Sequence, residues 1–162
     1  MHYVIDGNNL IGHSPDLSLK DDHCRGEAMT RVAAFCRETG TRATIFFDGG
    51  PDAHVGENGV SLGAVRAMLA GKGVEADERI LAMIDGAAGR RFTVVSSDRR
   101  IYGRARSAGI EALRIHEFNV LIGASNRRRR AADDRHAELE QKSRRLEEGE
   151  VQEWLEIFGE DA

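Results

Sequence analysis

Tyr3-Val4-Ile5-Asp6-Gly7-Asn8-Asn9 decides how the chain is read. Three apolar residues, two of them β-branched, predict a buried strand over residues 2–6. The strand runs into an acid and then breaks. Gly7 is expected to supply backbone freedom at the strand end. Asn8 and Asn9 tolerate turns and bring amide donors and acceptors. Asp6 is therefore expected at the lip of a sheet. In open α/β sheets, ligands bind at the carboxyl ends of the strands.

Outward from that stretch, strands and helices alternate. Residues 7–25 read as a polar loop. A helix is predicted over residues 27–38, stopped by Gly40. Thr44-Ile45-Phe46-Phe47 reads as a second strand, ending in Asp48-Gly49-Gly50. The glycine-rich residues 49–63 read as a mobile loop over the sheet edge. Residues 65–69 read as a third strand in preference to a short helix. Gly71-Lys72-Gly73 lacks the frame of a phosphate-binding P-loop. A second helix opens around Asp77, with Ile80, Leu81, Ile84 and Ala88 as its buried stripe. Phe92-Thr93-Val94-Val95 is a fourth strand, followed by Ser96-Ser97-Asp98 and an arginine-bearing helix that Gly109 stops. Residues 110–115 form a fifth strand, and a short closing helix begins near Phe118. Such alternation predicts an α/β fold with a mostly parallel sheet, strand order 3-2-1-4-5.

The chain has 162 residues, enough for one domain, 1–125, and a charged helical C-terminal extension, 126–162. The extension carries only a thin apolar seam of Ala132, Leu139 and Leu146 before Trp154, Leu155, Ile157 and Phe158. These last four form an apolar patch expected to pack on the domain or meet a partner. Hydrophobic residues make up 41% and charged residues 31%, the composition of a globular protein without a membrane span. The first strand starts too near Met1 to leave room for a signal peptide, so a cytoplasmic protein is expected, with its two cysteines as thiols. Charge is segregated. Residues 1–89 carry 8 basic and 13 acidic side chains, residues 90–145 carry 15 and 7, and residues 146–162 carry 0 and 7. A basic block between acidic flanks predicts an anionic partner, nucleic acid above all.

Four acids are expected at one sheet edge: Asp6 after the first strand, Asp48 after the second, Asp77 at a helix start, and Asp98 after the fourth. Two unit charges 4 Å apart repel by about 4 kcal/mol at an effective dielectric of 20, so such a group calls for a cation. A site of oxygens without a His or Cys cluster suits Mg²⁺ or Mn²⁺. Each acid also has a plainer reading, as a helix cap or a turn residue.

Val4-Ile5-Asp6-Gly7-Asn8-Asn9-Leu10, Phe46-Phe47-Asp48-Gly49, Ala76-Asp77-Glu78-Arg79-Ile80 and Val95-Ser96-Ser97-Asp98-Arg99, in that order, resemble the YacP-like branch of the NYN family. That family belongs to the PIN-like nucleases. The resemblance covers residues 1–125 and implies a three-layer PIN-like fold and a metal-dependent endonuclease of single-stranded RNA. Asp6, Asp77 and Asp98 match the family's metal-binding acids. Asp48 matches the acid after strand two, Asn8 an orienting position, and Ser97 the polar residue before the last acid. Asp6, Asn8, Asp77 and Asp98 are the expected catalytic residues. Arg66, Lys72, Ser97, Arg99, Arg100, Arg104, Arg127 and Arg128 are the expected RNA contacts. The expected partner is RNA, mRNA first, with the ribosome as a second partner. No membrane and no nucleotide cofactor are expected, since G-x-G-x-x-G is missing after the first strand. The competing reading is a non-catalytic RNA-binding module of the same fold. It leaves unexplained why a phosphate binder would keep so many carboxylates.

Overall fold

A computed structural model of the chain describes residues 1–87, 89 and 91–159. The residues from Met1 to Ser125 form one compact unit and the chain from Asn126 a second.

The first unit is built on β1 (His2–Asp6). It is flanked on one side by β2 (Arg42–Phe47) and on the other by β5 (Thr93–Val95), both parallel to it. Outside β2 lies β4 (Val65–Leu69), parallel, and outside that β3 (Val60–Leu62), antiparallel. Outside β5 lies β6 (Glu111–Leu113), parallel. The order is β3-β4-β2-β1-β5-β6. The five expected strands stand in the expected order. The sixth, β3, corrects the reading of residues 49–63 as loop throughout. Leu62 pairs with Val65 across the two-residue turn Gly63-Ala64, and Gly63 has φ 58°, the left-handed value that a tight hairpin turn places on glycine.

Alternation along each strand sorts the two core faces. Tyr3, Ile5, Ile45, Phe47, Ala67 and Val95 pack on one side with α2 (Cys24–Thr39) and Phe118. Tyr3, Phe35 and Phe118 form an aromatic cluster there with ring centroids 5.2–5.7 Å apart. Val4, Phe46 and Val94 face the other way, onto α3 (Ala76–Asp85) and α4 (Arg99–Ser107). Asp6, two residues beyond Val4, shares that second face at the strand end. Ala88, expected in the α3 stripe, lies outside the described residues. Gly40, at φ 65°, ends α2 as expected, and its N–H donates to the Cys36 carbonyl. Cys24 and Cys36 are buried free thiols, and burial raises both above the usual thiol range.

Two more elements differ from expectation. Residues 7–25 are not loop from the start, because α1 (Gly7–Gly12) follows β1 without a break. The closing helix and the charged extension are one helix, α5 (Ile115–Phe158). Among the described residues no helix is long and apolar enough to cross a membrane. In the second unit Leu139, Leu146, Val151, Trp154 and Leu155 are exposed. Of the expected apolar patch, the side chains of Ile157 and Phe158 lie outside the described residues.

Candidate active site

Asp6 ends β1 and at once caps α1. Its Oδ1 accepts the backbone N–H of Asn9 at 3.0 Å, and its Oδ2 accepts the hydroxyl of Ser96 at 3.4 Å. Asp6 as a residue is 7% exposed. Loss of water is the largest influence on it. The Asn9 N–H and the Ser96 hydroxyl favour the charged form, whereas the charges of Asp48 and Asp77 oppose it. The net result raises its pKa from 3.8 to about 6.

The two asparagines of α1 hold the loops on either side of β1. Asn8 Oδ1 accepts the N–H of Asp48 at 3.0 Å, fixing the turn after β2. Asn9 Oδ1 accepts the N–H of Ser97 at 3.0 Å, fixing the turn after β5. One short helix thus aligns the ends of three neighbouring strands. Gly7 lets this happen for a reason other than the one expected. Its φ is not left-handed. A Cβ there would lie 2.4 Å from two ring carbons of Phe47 and 2.8 Å from Ile45 Cγ2. The residue is glycine because α1 sits directly on β2.

Asp48 reaches across to α3. Glu75, at the N-cap position, makes no side-chain cap bond, and Asp48 Oδ1 accepts the N–H of Ala76 at 2.5 Å instead. Its backbone carbonyl takes a hydrogen bond from Arg25. Arg25 also donates to Gly50 O at 2.9 Å, pairs with Asp52 at 3.0 Å and lies over the Phe47 ring. Asp77 is on the first turn of α3. Its Oδ2 is ion-paired with Arg100, and its Oδ1 is buried with no hydrogen-bond partner. Asp98 caps α4, its Oδ1 accepting the N–H groups of Arg100 at 2.8 Å and Ile101 at 3.0 Å. Its own N–H donates to Ser96 Oγ at 3.1 Å, so Ser96 links Asp98 to Asp6.

All four acids therefore stand at the carboxyl edge of the sheet. Asp6, Asp48 and Asp77 are close enough for their charges to interact. Asp6, Asp48 and Asp98 also do the capping work of the plainer reading. Among the described residues, no three His, Cys, Asp or Glu side chains converge to chelate one ion. The arrangement fits a hydrated divalent cation held through one or two carboxylates, Asp6 and Asp77 foremost, since Asp77 Oδ1 is the buried oxygen left without a partner.

The expected RNA contacts are spread out. Lys72 lines a cleft of about 840 Å³ with Asp48, Gly49, Gly50, Gly73 and Glu75, at the ends of β2 and β4. Arg66 is exposed in mid-strand, opposite Thr44, three residues back from the edge at Leu69. Arg99 is exposed at the start of α4. Arg100 and Arg104 are both engaged, with Asp77 and with Asp85 (2.7 Å) on α3. Ser97 Oγ accepts the N–H of Ile115 at 3.1 Å. Arg127 and Arg128 are exposed in the second unit. Asn9 is expected only as a turn residue, and Ser96 and Arg25 carry no expected role, yet all three hold the site together. Asn9 and Ser96 lay beside residues already chosen, and their adjacency to Asn8 and Ser97 was the available signal. Nothing local marks Arg25, whose acceptors lie 23 and 25 residues away.

The sequence matches the family described as "YacP-like NYN domain" over residues 3–159. The match includes nearly all of α5, so the basic segment beyond Asn126 is part of the family's pattern, a wider extent than residues 1–125. No curated protein matches the chain. Among solved structures, Rae1 (YacP) from Bacillus subtilis superposes with a TM-score of 0.70 at 19% identity, over 99% of this chain and 95% of that one. Its W164L mutant superposes with a TM-score of 0.63 at 23% identity, over 79% and 77%. At these identities the likeness concerns the fold.

Proposed function

Because the chain belongs to the YacP-like NYN family, a membership that supports a nuclease or RNA-related role, we propose that it is an endoribonuclease of single-stranded RNA, mRNA in particular, dependent on Mg²⁺ or Mn²⁺. The observation that carries this reading is the edge itself. A buried carboxyl group, Asp6, sits within reach of the charges of Asp48 and Asp77, and Asp77 has a buried oxygen with no partner. A fold that gathered these acids only to cap helices would not need the third. A purely RNA-binding module would not place them where phosphate approaches.

Asp6 and Asp77 would hold the cation, with Asp98 kept beside them through Ser96. A divalent cation held there would supply the chemistry of an activated water and of charge stabilisation at the scissile phosphate. Asn8 and Asn9 hold the strand-end loops so that the acids keep their spacing. Asp48 fixes the start of α3 and hence Asp77. The glycine-rich cleft beside Asp48 has the room for a sugar–phosphate chain, and Lys72 is the cation that meets a phosphate there among the carboxylates of Asp48, Glu57 and Glu75.

The test is cleavage of an end-labelled single-stranded RNA with added Mn²⁺ or Mg²⁺ and with excess chelator. Internal cuts with metal and none with chelator are expected. Undiminished cutting in chelator would remove the metal from the mechanism. A second expectation concerns the basic segment of α5. Arg127→Ala with Arg128→Ala should weaken RNA binding and flatten its salt dependence by about 0.7 in log–log slope per lost contact, with cleavage positions unchanged. Equal slopes for variant and wild type would take these arginines out of the RNA contact.

A further inference from the structure

The arginine on Asp77 has more to do than neutralise a surface acid. α3 and α4 pack side by side and are joined by two ion pairs, Arg100 with Asp77 and Arg104 with Asp85. The second lies away from the site, with Asp85 at the far end of α3, and both its partners are about half exposed. The first lies at the site. Asp77 is three-quarters shielded, lies within charge range of Asp6, and leaves Oδ1 without a partner. Arg100 is 62% exposed and reaches Asp77 from the solvent side. It contrasts with Arg25, whose guanidinium is fixed by Asp48 O, Gly50 O and Asp52. A guanidinium held by one carboxylate at the surface is easily exchanged, because such pairs contribute little net free energy. It also has the charge and planar donor array to grip a phosphate when free.

We propose that Arg100 is a placeholder cation on Asp77: it neutralises this carboxylate in the metal-free protein, is displaced when a divalent cation binds, and then takes a phosphate of the RNA. The inference rests on the metal-dependent reading above. It couples metal loading to substrate grip, since the same side chain is withheld from RNA until the ion has replaced it. It also explains why an arginine beside a metal carboxylate does not simply repel the ion.

The experiment measures Mn²⁺ binding to the full chain by the loss of the free-ion signal in electron paramagnetic resonance. Wild type, Arg100→Ala, Arg104→Ala and Asp77→Asn are compared. RNA affinity is measured in parallel with Mn²⁺ and with chelator. Arg100→Ala should bind Mn²⁺ about tenfold more tightly, because no ion pair has to be broken and one like charge is gone. Arg104→Ala should keep the wild-type Mn²⁺ affinity. RNA affinity should fall in Arg100→Ala only when Mn²⁺ is present. Equal or weaker Mn²⁺ binding by Arg100→Ala would overturn the placeholder role and make Arg100 a support for Asp77. If Asp77→Asn loses Mn²⁺ in that case, the metal reading itself stands. Failure of every variant and the wild type to bind Mn²⁺ would overturn both.

Discussion

Asp6→Asn is expected to reduce RNA cleavage by at least about a hundredfold, the loss that follows when a few kcal/mol of charge stabilisation is removed. The same variant should be more stable than wild type in chelator. The carboxyl group titrates near 6 in the folded chain against 3.8 for the free group, so its ionised form opposes folding. The sign follows from linkage. With the folded pKa raised, the full stability is present below 3.8 and is lost as pH rises through about 6. Above that pH the loss is on the order of 3 kcal/mol, or roughly 5–10 °C in Tm. Asn keeps an oxygen for the Asn9 N–H and carries no charge. Melting curves of the two proteins in chelator should therefore coincide at about pH 3, diverge between pH 3.8 and about 6, and stay apart above that, with the variant higher. Wild-type cleavage by the variant would remove Asp6 from the chemistry. A variant less stable at pH 8 would show that the burial cost is not borne by this carboxylate.

The second large effect is on folding. Gly7→Ala should destabilise the protein by about 3 kcal/mol, and Gly7→Val should leave little soluble protein. The added Cβ would meet Phe47 and Ile45 at 2.4–2.8 Å, and those side chains are fully buried with nowhere to move. Backbone strain contributes nothing, because Gly7 is not in the left-handed region and begins a helix, where Ala is the better residue. Urea unfolding gives the answer directly. An unchanged midpoint for Gly7→Ala would mean that α1 can lift off β2 at no cost.

Gly7 also shows what could be read from the sequence. Its importance was visible from Asp6-Gly7-Asn8, but the cause was not. The residues that forbid a side chain there, Ile45 and Phe47, are 38 and 40 positions away. The strand order was legible because β1, β2 and β5 are short apolar runs, each reaching an acid within three residues, and alternate with helical stretches. β3 was not, since Val60-Ser61-Leu62 is too short for a period and exists only by pairing with β4. α1 was missed because Gly-Asn-Asn-Leu-Ile-Gly has poor helix propensity. Burial of Leu10 and Ile11 and the Asp6 cap outweigh that. Residues 122–126, Ile-Gly-Ala-Ser-Asn, look like a break, yet α5 runs through them. Gly123 costs only about 1 kcal/mol in a helix, less than the buried Ile122 and Ser125 return. The four acids were legible as a set. Their partners were not: Ser96 on Asp6, Ala76 N–H on Asp48 and Arg100 on Asp77 are all set by tertiary structure.

The placement of β1 between β2 and β5 matters during synthesis. Asp6 leaves the ribosome early, but Ser96 follows 90 residues later. At about 5–20 residues per second, that interval is roughly 5–18 seconds. Throughout it, β1 has at most one strand neighbour, β2, and Asn9 has no Ser97 loop to hold. The acid edge is incomplete for as long as the chain is short of Asp98. The same interval leaves an apolar strand edge uncovered, which makes this stretch of synthesis the period of greatest exposure to aggregation.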